Sequence, residues 1–249
     1  MIKFFRNIRK NLLKEGKTAN YLKYAIGEII LVVIGILIAI QANNWNVNNE
    51  AQKEKEFVLH KLIENLNQDI IRLNGNIERD KLYISALDSC LTILKNPNAY
   101  SKDYFSRLFS NMNYTSNFEF NQITFNEISN SGKLKLIKNQ TLVDSLFKYY
   151  DNSLFKPVEE ALNFHTRDNV RSYTMGYDYM VLGHDVDKNP ASDFNIQPKS
   201  LIDYSSDVRI INYIRFKILL FTFIIDRYDQ LMNNASYLIT LINEELINN

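Results

Sequence analysis

Between Lys23 and Asn43 the chain reads YAIGEIILVVIGILIAIQA, 19 residues in which Glu28 is the only charge. At roughly 1.5 Å per residue a helix over 24–42 covers about 28 Å, the hydrocarbon thickness of a bilayer. The pattern therefore predicts one transmembrane helix. Tyr21 and Tyr24 flank one end and Trp45 the other, where interfacial aromatics belong. A cleaved signal peptide is the competing reading, because the uninterrupted apolar core from Ile29 to Ile40 has the right length for one. The long head before it, the intruding Glu28 and the poor cleavage site at Ile40–Ala42 favour a retained anchor.

Past the span the apolar positions fall into two long seams. The first runs Leu59, Ile63, Leu66, Ile70, Leu73, Ile77, then Asp80, then Ile84, Leu87, Leu91 and Leu94. Its alternating four–three spacing predicts a helix over about 50–95. Ile at a and Leu at d suit a two-stranded parallel coiled coil. Val58, Leu62 and Ile71 widen the stripe and suit an intramolecular bundle better. The second seam, Ile211, Ile214, Ile218, Phe221, Ile225, Tyr228, Met232, Ala235, Ile239, Ile242 and Leu246, predicts a helix over about 206–247. Two such seams in one chain pack most simply against each other, antiparallel.

Shorter helices are expected near 101–112, 121–131, 139–152 and 157–182, with Gly132 as a stop, Asn139 as an N-cap and Pro157 in a first turn. Tyr104, Phe105, Phe109, Phe118, Phe120 and Phe125 read as core. Residues 183–205, rich in Asp, Asn, Ser and Pro, read as a loop. The fold class is thus all-α: an N-terminal interfacial helix, one transmembrane helix, then an extracytoplasmic helical bundle with two long antiparallel helices. The expected divisions are 1–23, 24–42 and 46–249.

Charge changes the picture at the N-terminus. The chain carries +1 overall, but residues 1–23 hold seven basic residues against Glu15, a local +6. The remainder is acidic, which argues against nucleic acid as a partner. Lys3, Arg6, Lys10, Lys14 and Lys17 form a stripe opposite Met1, Phe4, Phe5, Ile8 and Leu12, the pattern of a helix lying on the anionic inner leaflet. The positive-inside rule puts this head in the cytoplasm and the C-terminal domain outside; the expected location is the bacterial inner membrane, with the C-terminal domain in the periplasm. Within the span, Glu28, Val32, Gly35, Ala39 and Ala42 share a face, and Gly35 and Ala39 are a small-xxx-small pair. That face is the expected contact with a second copy or a partner membrane protein. Glu28 reads either as a functional intramembrane carboxylate or as a group reaching the inner headgroups.

Little points to catalysis. Asp185, Asp187 and Asn189 copy the first half of a calcium loop, but Pro190 stands where the turn glycine belongs and Ile196 replaces the closing glutamate. His184 has no second histidine nearby. Cys90 reads as a small core or flank residue. Glu159-Glu160 and Glu244-Glu245 are helix neighbours whose side chains point apart, and read as solvated. No catalytic residue, metal site or cofactor is expected.

The stretches IKFFRNIRKNLL, YLKYAIGEIILVVIGILIAIQANNWN and TFNEISNSGKLKLIKNQTLVDSLFKYY (residues 124–150) resemble a family of uncharacterised single-pass membrane proteins common in Bacteroidota. The resemblance implies the same topology, a helical outer domain and no assigned activity. The expected function is a non-enzymatic membrane-anchored scaffold or interaction protein. The alternative is a ligand-sensing accessory subunit acting through a partner's membrane helix.

Overall fold

A computed structural model describes residues 18–151, 153, 155–170 and 199–247. The basic stripe Lys3, Arg6, Lys10, Lys14 and Lys17, together with His184, Asp185, Asp187 and Asn189, lies outside them. All secondary structure among the described residues is helical. Helix α1 runs Thr18–Lys95; α2 is Lys102–Phe109, α3 Ile123–Asn130, α4 Gln140–Tyr150, α5 Lys156–Phe164, α6 Leu201–Ser206 and α7 Val208–Ile247. The chain divides into two compact units, Met1–Phe57 and Val58–Asn249, and the division falls inside α1.

In the first unit the apolar run is a helix with its apolar side chains exposed: Ile29, Leu31 and Ile38 are each more than 60% exposed. It is long and apolar enough to cross a membrane. The asparagine-rich stretch 43–49, poor in helix propensity, does not interrupt it.

The second unit has two cores. One gathers Leu73, Ile77, Leu87, Cys90 and Leu94 of α1 with Ile210, Ile214, Phe221, Ile224 and Tyr228 of α7. The other gathers Leu59, Leu62 and Leu66 with Ala235, Leu238 and Ile242. Low numbers of α1 meet high numbers of α7, so the two segments run in opposite directions within one chain. The seam that suited a parallel two-chain coiled coil is filled from inside instead.

Local chemistry sets the ends. Pro97 follows the end of α1 at Lys95. Gly132, at φ 70°, turns the chain after α3. Asn139 accepts the Leu142 N–H at 3.1 Å to start α4. Pro157 sits in the first turn of α5, which passes at His165–Val170 into a π-helical turn. The expected loop 183–205 is corrected at its end: Ser200 and Asp203 form a capping box that starts α6. Of the aromatics expected in the core, Phe105, Phe109, Phe118 and Phe125 are buried and Phe120 half-buried, whereas Tyr104 is 43% exposed.

Candidate functional site

The core of the second unit holds charges. Asp80 of α1, Ser116 of the α2–α3 connection and Tyr228 of α7 are all fully buried. Ser116 Oγ donates to Asp80 Oδ2 at 2.5 Å and accepts from Arg79 Nη2 at 3.1 Å. Its one proton being committed to Asp80, the Tyr228 hydroxyl 3.0 Å away is a donor to it. Arg79 also reaches Asp80, at 3.3 Å. Burial pushes the Asp80 carboxyl up, against the lowering effect of Ser116 and Arg79. The Ser116 hydroxyl is saturated and closed to solvent. It ties a loop to both long helices.

Lys217 of α7 is also fully buried, and its Nζ donates to Thr166 Oγ1 of the π-turn. Among the described residues that is its one hydrogen bond; Phe221 lies under the ammonium, 5.2 Å from ring centroid to nitrogen. Burial pulls Lys217 down to about 7, with Asp80 acting in the opposite sense. Thr166 passes its own proton to the Leu162 carbonyl at 2.7 Å. Next to it His165 donates from Nε2 to the Tyr213 carbonyl at 3.0 Å and accepts on Nδ1 from Asn169 at 3.2 Å, which fixes its tautomer. Burial lowers the His165 pKa. Thr166 also borders an open cleft of about 360 Å³, whose other walls are Asn113, Thr115, Asn163 and Arg167.

A third polar knot lies in the other core. Asp69, fully buried, accepts from Arg72 at 2.5 Å, from the Asn121 N–H at 3.0 Å and from the Tyr149 hydroxyl at 3.1 Å. Two carboxylates expected to be solvated are instead structural. Glu159, half-buried, accepts the Phe118 N–H at 2.7 Å, and burial raises its pKa. Glu245, 8% exposed, accepts the Lys138 N–H at 3.1 Å. Both capture backbone donors of the irregular segments between helices, where no helix partner is available. Nothing short-range in the sequence marks Ser116 or Lys217, whose partners lie far away in the chain.

Of the expected membrane face, Val32, Gly35, Ala39 and Ala42 are exposed and Glu28 is half-buried. No atom lies within 4 Å of a Cβ built on Gly35, so that face has room for close approach. Cys90 is fully buried in the seam, where burial pushes its thiol up to about 12. Among the described residues no group of three or more His, Cys, Asp or Glu side chains is placed to hold a metal ion.

A family model described as a family of unknown function, DUF6090, matches residues 28–190. The chain belongs to that family. The DUF6090 match begins at Glu28, takes in the apolar helix from there on, and spans α2 to α5 with the polar knots at Asp69, Asp80 and Ser116. It stops short of α7, so Lys217, Tyr228 and Glu245 lie outside it. No curated protein and no solved structure matches the chain.

Proposed function

We propose that this DUF6090 chain is a membrane-anchored, non-enzymatic scaffold or interaction protein of the bacterial cell envelope. Its basic N-terminal head rests on the anionic inner leaflet in the cytoplasm. A helical bundle built on α1 and α7 stands in the periplasm. The observation that carries this reading is the apolar helix of the first unit, exposed at every position from Ile29 to Ile40. A contiguous apolar surface of that extent is costly in water and natural in lipid. The +6 head supports the orientation. The Glu28, Val32, Gly35, Ala39 and Ala42 face is the contact with a second copy or with a partner's membrane helix.

Gentle solubilisation of native membranes, purification through a C-terminal tag and mass determination test this. A detergent-dependent homodimer, or a stoichiometric second membrane protein, is the expected result. Recovery as a monomer in the soluble fraction without detergent overturns the reading.

A further inference from the structure

We propose that the cleft bounded by Asn113, Thr115, Asn163, Thr166 and Arg167 binds a small anion, with Arg167 as its direct charge partner and Lys217 supplying buried positive charge through Thr166. The inference goes beyond the scaffold reading and does not depend on it.

The lining is the first argument. Among the described residues the side chains that border the cleft are two amides, two hydroxyls and one guanidinium, with no carboxylate. The Thr166 proton is held by the Leu162 carbonyl, so the donors this wall offers are the amides, Thr115 and the Arg167 guanidinium, in several directions, as a carboxylate or a phosphate oxygen requires. Arg167 is exposed at the rim and, among the described residues, is tied to its neighbour Asp168, at 3.0 Å. That contact is an exposed pair of small worth, so the guanidinium is available to exchange it for a ligand in the cleft.

Lys217 is the second, independent argument. Its ammonium is fully buried and, among the described residues, has a single neutral oxygen as hydrogen-bond partner, which belongs to a cleft residue. Buried cations are normally paired. Among the described residues the charged or titratable groups that act on it are Asp80 from α1 and His165 from the π-turn. Asp80 is itself engaged by Ser116 and Arg79, and His165 is neutral in its hydrogen bonds. An anion one residue away, beyond Thr166, compensates the ammonium. The π-turn that places Thr166 between the two is a helix irregularity of the kind concentrated at functional sites. Because the ammonium loses its proton near neutral pH, binding weakens as pH rises through about 7.

The test is equilibrium dialysis of the full chain in detergent micelles with radiolabelled sulfate and, separately, acetate, at constant ionic strength. Neither probe changes charge across the range used, about pH 6 to about pH 8, in which the lysine of interest does. Saturable binding of sulfate points to a phosphate-type ligand, binding of acetate to a carboxylate. Either is expected to weaken several-fold between the two pH values. Arg167→Ala, at an exposed position, is expected to weaken binding about tenfold with the melting temperature unchanged. Lys217→Met is expected to remove the pH dependence. Absence of saturable binding by both probes, binding unaffected by Arg167→Ala, or binding with no pH dependence each overturns the proposal. If Lys217→Met fails to fold, the wild-type pH series and the Arg167→Ala comparison decide alone.

Discussion

In the folded chain the Lys217 ammonium titrates at about 7, against 10.5 for an unhindered lysine. Between those values the unfolded chain holds a proton that the folded chain has released. Stability therefore rises with pH across that window and is lowest below it. Lys217→Met removes the buried charge while Thr166 keeps its bond to Leu162. Urea melts are expected to show the variant more stable than wild type at about pH 6, by an amount on the order of a few kcal/mol, with the gap closing toward about pH 10. A variant less stable than wild type at the acidic end would sink this account of the burial cost. Cys90 gives a second residue-scale test. Fully buried, with its thiol pushed up to about 12, it holds almost no thiolate. Iodoacetamide is expected to leave the native protein unmodified over hours and to label it completely in denaturant. Rapid native labelling would mean that α1 opens at this point far more often than its packing implies.

At the scale of elements, the turn after α3 isolates backbone strain from packing. Gly132 sits at φ 70° with open space around it, so Gly132→Ala pays for conformation alone. A loss of about 1 kcal/mol is expected in chemical denaturation, and an unchanged midpoint would contradict the left-handed geometry. This stop, the Asn139 cap and the Pro157 start were all legible in the sequence, because each works within a few residues of itself. The seams were legible only in half. Leu59, Leu66, Leu73, Asp80, Leu87 and Leu94 are buried where the spacing puts them; of the companion positions Ile77 is buried too, but Ile63, Ile70, Ile84 and Leu91 are half-buried. The deeper column lies one residue earlier, at Leu62, Asp69 and Cys90. The same offset recurs in α7: Ile210, Lys217, Ile224, Leu238 and Glu245 are buried in place of Ile211, Ile218, Ile225, Ile239 and Leu246. The seam centres turn by roughly 50°. The cause is specific: Asp69, Lys217 and Glu245 occupy the buried column, and an apolar criterion steps over a charged residue onto its greasier neighbour. The cleft was not legible at all, since its walls come from the α2–α3 connection on one side and from the end of α5 and the π-turn on the other, about fifty residues apart by number.

At the scale of the whole chain, the burial of Cys90 leaves no exposed native thiol among the described residues, and that makes a cysteine scan of the membrane segment clean. In native membranes, oxidative crosslinking of single substitutions at Val32, Gly35, Ala39 and Ala42 is expected to give dimers, with little at Ile30, Val33 and Leu37 on the opposite side. Crosslinking spread evenly around the helix would remove the case for a defined face. The buried charges have a further consequence for the chain as one object. A repeat of apolar side chains every seven residues is a ruler whose marks are all alike: slide α7 along α1 by one repeat and Leu, Ile and Phe meet Leu, Ile and Phe again. The polar contacts do not survive that slide. Tyr228 leaves Ser116, Lys217 leaves Thr166 and Glu245 leaves the Lys138 N–H. Each abandoned group then costs about 1–3 kcal/mol. The charges that blur the hydrophobic pattern are thus its serial numbers, and they single out one alignment among several that grease alone would accept.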